Sequence, residues 1–428
     1  MKRPGWSVLV RSIGLAVACG PAAGQVVPIG SEFRVNAYTT LDQHLASAAS
    51  ADDGRFVVAW RSNGQDGSDE GVFAQRYDSA GNPSGFEFRV NAYTTGKQAW
   101  PSVAAAADGR FVVTWASWQD DSGYGIFGQR YDSAGNPSGP EFQINSYTTN
   151  SQYQPAAASA ADGRFVVVWL SYRQGGTGYG VFGQRYDSAG NRSGPEFQVN
   201  TYTTGYRALG WAAGPAVASA PDGRFVVAWQ TPDQDGDDLG VFAQRFDSAG
   251  NRSGSEFLVN SYTTNRQFAP SAAFAPDGRF VLAWMDFGQD GSGDGVFAQR
   301  YDSAGSPSGP AFRVNSFTTG YQAFPSVASA ANGRFVVAWH GYDLGQDSSG
   351  PGIFAQRYDS AGNAAGPQFR VNFYTTNAQR FPSVASAADS RFVVAWNSEA
   401  QDGSGRGVFG QRFGGDRIFG DGFDPSGP

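Results

Sequence analysis

Sulfur and imidazole chemistry have little to work with in this chain. Its 428 residues hold one cysteine, Cys19, and two histidines, His44 and His340. A single thiol forms no intramolecular disulfide, so stability must come from packing. Lysine occurs only at Lys2 and Lys97, and leucine is sparse, which removes most of the strong helix formers. No serine-nucleophile motif is present. Beyond the first residues, nothing approaches the roughly 20 apolar residues that cross a bilayer, so no transmembrane segment is expected. Positive charge is also short, with Lys+Arg 31 against Asp+Glu 38 and a formal net charge of −7. An acidic chain of this kind is a poor candidate for nucleic acid or for anionic membranes.

Glycine is plentiful, at 58 residues, and aromatic residues make up 14%. Gly, Ser, Asp and Asn recur at short intervals, as they do where short strands are joined by tight turns. The opening run MKRPGWSVLVRSIGLAVACGPAAGQ combines a basic start (Lys2, Arg3), an apolar stretch over 13–19 and small residues at Ala22 and Gly24. It reads as a secretory signal peptide over 1–24, cleaved after Gly24. Secretion is the expected destination, with a periplasmic protein or a lipid anchor at Cys19 ranked second because Ala16 sits where a lipobox prefers leucine. Loss of Lys2, Arg3 and Arg11 would take the net charge from −7 to −10.

The segment GRFVVAW at Gly54 returns, in the same or a close form, at Gly109, Gly163, Gly223, Gly278, Gly333 and, with serine first, Ser390. The spacings are 55, 54, 60, 55, 55 and 57 residues. A catalytic motif is usually needed once, so seven copies describe a structural unit and place function where the copies differ. Each unit contains four strand-like segments, which in the second are residues 101–106, 110–115, 125–132 and 141–145, here called strands A to D. Strand A is nearly all Ala, Ser and Val, which suits strands converging on a crowded axis. Strand B alternates large and small, with Phe56, Val58 and Trp60 on one side and Val57 and Ala59 on the other. Both sides are apolar and both must be buried, which sheets stacked face to face accomplish.

Seven four-stranded units with the smallest residues innermost predict an all-β, seven-bladed β-propeller over 25–413, followed by a tail over 414–428. A parallel β-helix fits poorly, since a 55-residue coil with four turn signals does not match short regular rungs. Independent small domains fit worse, because one unit alone buries too little. The array opens on a D-type segment, EFRVN at Glu32, and ends on a C-type segment at Gly407. Seven complete blades therefore require the N-terminal strand to complete the last blade.

The segments GRFVVVWLS, GVFGQRYDSAGN and EFQVN with its following YTT resemble the repeat of secreted or surface-associated bacterial proteins of propeller type, over residues 32 to 413. That family mostly lacks an assigned activity, so the resemblance implies fold and export more than function. The tail RIFGDGFD, beginning at Arg417, is similar to short terminal segments of exported bacterial proteins.

The repeated Gln–Arg pair of strand C (Gln75 and Arg76 to Gln411 and Arg412) is expected to bond to turn carbonyls or between blades. The strand D asparagines (Asn91, Asn145, Asn200) are expected to cap turns. Asp233, Asp235, Asp237 and Asp238, in the loop between strands B and C of unit four, form the best candidate for calcium, the one cofactor considered; a plain hairpin turn is the favoured alternative, since the full EF-hand spacing is absent. Glu70 and Glu399 are available acids, but acids occur in nearly every unit and none is singled out as catalytic. Two functions stay open: a non-enzymatic, monomeric binding protein for a glycan, surface polymer or protein, which is preferred, and a propeller hydrolase or lyase acting on polysaccharide. The variable D–A and B–C links share one face. There the ligand contacts are expected at Trp118, Tyr172, Phe287 and Tyr342, three positions after the repeated tryptophan, and at Tyr206 and Trp211 in the long link of unit four.

Overall fold

The structure is a computed structural model, and it describes residues 26–120, 122–176, 178–203, 214–342 and 350–414. The expected signal peptide with Cys19, the residues Tyr206 and Trp211, and the tail from Arg417 lie outside the described residues. So does most of the lengthened B–C link of unit six.

Seven antiparallel sheets of four strands each are arranged in a ring, the expected seven-bladed β-propeller. Blade 1 is built from Gln43–Ser50, Phe56–Asn63, Glu70–Tyr77 and Phe88–Arg89, in that order from axis to rim. Blades 2 to 6 repeat this order along the chain. Blade 7 takes Gln379–Ser386, Phe392–Glu399 and Arg406–Phe413 from the C-terminal end and its outermost strand, Pro28–Arg34, from the N-terminal end. Pro28 pairs with Phe413 and Arg34 with Phe409, which closes the ring as the strand count requires.

Packing between blades follows the alternation in strand B. Phe56, Val58 and Trp60 of blade 1 meet the small side of blade 7, Ala385, Val393 and Ala395, in one buried cluster. Val57 and Ala59 receive Phe111, Val113 and Trp115 of blade 2 in the next. The repeated tryptophans are at most 1% exposed. At the axis the small strands A lie close enough to bond directly: the Ala48 N–H donates to Ser383 Oγ at 2.9 Å and the Val103 N–H to Ser47 Oγ at 3.1 Å. A larger side chain would push these strands apart, which accounts for the Ala, Ser and Val composition.

Two details differ from the sequence expectation. Strand A starts about three residues earlier, at Gln98 in blade 2, and its pairing with strand B shifts between Ala99 and Ser102. Strand D of that blade is only two residues, Phe142–Gln143. After one more backbone bond, from the Ile144 N–H to Ile126 O, the Asn145 side chain takes over and accepts the Ile126 N–H at 2.7 Å. The asparagine thus caps the turn and ends the ladder.

The A–B turn needs a left-handed residue. Gly54 has φ +87°, and a Cβ there would lie 2.7 Å from the Arg391 guanidinium of the preceding blade. Blade 7 places Ser390 at this position with φ 68°, and Asn332 of blade 6 donates to its hydroxyl at 2.9 Å. Two departures from the repeat, Asn for Asp and Ser for Gly, therefore meet each other.

Candidate functional site

The A–B and C–D turns occupy one face of the ring and make the same contacts in blade after blade. Arg55 binds Asp53 in its own turn at 2.7 Å, then reaches Asp108 O at 2.9 Å and Ser133 O at 3.2 Å in the next blade. Gln75 donates to Arg76 O and Gly85 O, and Arg412 donates to Ser79 O of the neighbouring blade at 2.8 Å. The Gln–Arg pairs thus tie turns and blades together, as expected of a repeated structural group.

The D–A and B–C connections emerge on the opposite face, and much of their acidity is structural too. Asp66 Oδ1 accepts the Ser68 N–H in its own turn, while Oδ2 accepts from the strand D residue Asn91 at 3.3 Å. In blade 4 Asp235 meets Asn260 at 3.2 Å, and Asp237 accepts the Asn265 N–H at 2.8 Å. Asp233 has φ 59° and closes the turn through its N–H to Asp238 O. Two of the four candidate calcium carboxylates are thus engaged by amide donors. Among the described residues no group of three or more His, Cys, Asp or Glu side chains is disposed to hold a metal ion.

The expected contact residues that are described all lie on this face, at the ends of strands B. Trp118, Phe287 and Tyr342 are exposed, Trp118 the most at 57%. Tyr172 is half-buried, with Arg173 over its ring at 4.9 Å. Trp118 and Tyr172 belong to one continuous series of rings across blades 2 and 3. Trp118 touches Tyr124 at 5.7 Å, Tyr124 touches Trp100 at 5.3 Å, and Trp100 touches Tyr153 at 5.9 Å; Tyr153 meets Tyr179 at 5.5 Å, which meets Tyr172 at 4.9 Å. Tyr342 joins a second group, reaching Tyr321 at 6.4 Å and, through it, His340, Phe324 and Phe381. Phe287 lies apart from both, under the Arg266 guanidinium.

Both groups lead to the centre. The third residue of strand A in six blades, with Gly214 just ahead of the shorter strand Ala216–Ser219 in blade 4, forms a ring around the mouth of the axis: Leu45, Trp100, Gln154, Gly214, Ala269, Phe324 and Phe381. All but Gly214 hold a positive φ of 51–56°, a conformation costing roughly 1–2 kcal/mol for each L-residue. They surround a cavity of about 320 Å³. The six left-handed residues thus keep one backbone conformation at the mouth while their side chains range from Ala269 to Trp100.

A second cavity, about 300 Å³, lies between blades 7 and 1 and shares Leu45 and Phe381 with the first. Its wall includes His44, Arg61, Arg380, Asn397, Glu399 and Arg406. Arg61 is buried and its Nη1 lies 3.0 Å from Glu70 Oε2. Burial pushes the Glu70 carboxyl up, against the pull of Arg61. His44 is held down to about 3, first by burial and then by the guanidiniums of Arg61 and Arg406. His340, fully buried beside Phe324, is lowered to about 3 by burial and by Arg380. Both histidines of the chain thus sit on this side of the ring, uncharged at neutral pH.

The rim aromatics were legible in the sequence, but the strand A ring and the arginine cavity were not singled out. Their signal was available in two columns of the repeat. The residue after the repeated tryptophan is Arg61, Ala116, Leu170, Gln230, Met285, His340 or Asn397, and the second residue of strand A includes His44, Ala99, Tyr153 and Arg380. Both columns look like strand interior, where variation reads as repacking; between blades 7 and 1 four of their members, His44, Arg61, Arg380 and Asn397, line the second cavity.

No family model and no curated protein matches the chain. Solved structures do share its fold. An ulvan lyase described as a new family of polysaccharide lyase is 10% identical, with a TM-score of 0.53 over 90% of this chain and 95% of that one. The polysaccharide lyase Uly1 is 11% identical, with a TM-score of 0.51 over 91% and 100%. A fungal alcohol oxidase of the AA5 family, in complex with copper, is 15% identical, with a TM-score of 0.52 over 92% and 76%. At these identities the likeness is one of fold alone.

Proposed function

We propose that the protein is an exported, non-enzymatic binder of a polysaccharide, which it engages on the face bearing the D–A and B–C connections. The observation that carries this reading is the series of rings from the exposed Trp118 to Tyr172, passing Trp100 at the central mouth. Aromatic faces stack on the apolar faces of sugar rings, and a chain of them extending inward from the rim suits a polymer better than a small molecule. Polysaccharide lyases among the propellers of similar fold support the choice of ligand class. The two histidines, held down to about 3, are weak bases at neutral pH and poorly matched to proton abstraction.

A glycan array read for both retention and cleavage products tests this. We expect retention without new products. Trp118→Ala should weaken binding by about tenfold at unchanged melting temperature, as loss of an exposed stacking anchor does. A change at Asp132 or Asn136, in a turn of the opposite face, should leave binding intact. Release of shortened oligosaccharides would make the protein an enzyme, and the reverse mutational pattern would move the binding face.

A further inference from the structure

We propose that the cavity between blades 7 and 1 holds an oxyanion, the carboxylate or sulfate ester of an acidic glycan, with Arg380, Arg406 and the imidazole N–H of His44 as its donors. This deepens the binding reading and rests on it, because the cavity opens beside the central mouth and shares Leu45 and Phe381 with it.

The donor arrangement carries the argument. Arg61 is occupied: its Nη1 bonds Glu70 and its Nε donates to His44 Nε2 at 2.7 Å. A neutral imidazole that accepts at Nε2 must carry its proton on Nδ1. His44 Nδ1 lies 3.2 Å from Arg406 Nη1, so two N–H donors face each other and neither can serve the other. His44 is 8% exposed, so bulk water is not a ready substitute on its side. An acceptor-only group satisfies both donors at once, and carboxylate and sulfate oxygens are such acceptors.

The surrounding charges favour the same ligand. Neither Arg380 nor Arg406 makes an ion pair with a carboxylate among the described residues. Asp42 accepts the Arg406 backbone N–H at 2.9 Å. Glu399, the one carboxylate on the wall, is exposed and stands opposite Arg406 in the strand register without an ion pair between them. Three guanidiniums therefore line one cavity of a chain whose formal net charge is −7. Such a concentration against the overall sign marks a local site and not a general field, and the guanidinium fork matches planar or tetrahedral oxyanions.

The test compares polygalacturonate, a sulfated galactan and neutral galactan as ligands for the wild type and for Arg380→Gln, Arg406→Gln and Trp118→Ala. Galacturonate and galactose 6-sulfate serve as monosaccharide probes by thermal shift. The wild type should favour one or both charged polymers, the better of the two identifying carboxylate or sulfate as the group. Each arginine variant should lose at least about tenfold in affinity for the favoured polymer and retain its affinity for neutral galactan. Trp118→Ala should weaken all the bound polymers alike. Equal wild-type affinity for neutral and charged polymers, or undiminished affinity in both arginine variants, would overturn the oxyanion site while leaving the binding reading in place. If no polymer binds but a charged monosaccharide stabilises the wild type and not Arg406→Gln, the oxyanion site stands and the polysaccharide reading falls. If no probe acts, both fall.

Discussion

At Asp286 a carboxylate occupies a buried position of the repeat that holds Ser, Thr or Gly in the other blades. Two residues after the repeated tryptophan, other blades bury Ser62, Ser117, Ser171, Thr231 and Ser398, each fully. Blade 5 buries a carboxylate there, and burial, with a further contribution from Asp290, raises it from 3.8 to about 7; the Gln289 N–H, Trp284 and Gln267 offset part of the rise. The unfolded chain releases this proton near 3.8, whereas the native state keeps it until about 7. The native state therefore loses stability as pH climbs through that interval and carries the full deficit above it. Asp286→Ser should raise stability by about 4 kcal/mol near pH 8, shrinking to little near pH 4. Urea unfolding at the two pH values checks this, and an equal gain at both would show that ionisation is not the cause. Individual residues were otherwise unevenly legible. The exposed Trp118 stood out because its position, three after the repeated tryptophan, is aromatic in four units, but for Arg61 and Arg380 nothing in a single unit reveals that they face a cavity.

Among the elements, strand D is the one whose role the sequence concealed. The residue just before it in blade 2 links three segments: Glu141 accepts from Gln119 of its own B–C loop at 2.9 Å and from the Ala92 N–H of the preceding blade at 2.7 Å. Glu256 and Glu32 repeat the arrangement, Glu32 across the closure to the Phe373 N–H at 2.6 Å. Blade 5 has Ala311 in this place, so Gln289, the counterpart of Gln119, has no carboxylate there to receive its Nε2 donor. Ala311→Glu should restore both ties, adding roughly 1–2 kcal/mol and a measurable rise in melting temperature. An unchanged or lowered melting temperature would mean that the rim of blade 5 is shaped differently. Strand B, by contrast, was readable in full, since its alternation has a period of two and both faces are buried. Strand A was readable only as small residues, because its bulge is set by crowding at the axis and by the proline that follows in most blades.

At the scale of the whole molecule, the ring and its closure followed from counting segments, which needed no knowledge of contacts. The cavity between blades 7 and 1 did not, because the two sides of that cavity are more than 300 residues apart in sequence and meet only once the ring is shut. Closure should also govern stability. Removing residues 25–36 would strip the outer strand from Arg406–Phe413, expose the site of buried Val35, and delete Asn36, which accepts the Val408 N–H at 2.7 Å. We expect the melting temperature to fall by on the order of 10 °C. A truncated protein melting like the intact one would refute the role of this strand as the clasp.

The pairing of Pro28 with Phe413 also decides how the ring answers to mechanical load. Both ends of the described chain leave blade 7 side by side, with the Gly414 N–H still bonded to Val27 O, and they leave from the face of the C–D turns, away from the aromatic rings and the arginine cavity. A tether at either end would hold the propeller with its variable face turned outward. Pulling the two ends apart would load Pro28 against Phe413 first and then Ile29 against Arg412, one pair after another, so that the ring would open like a zipper at a single seam while the other six blades bore no force.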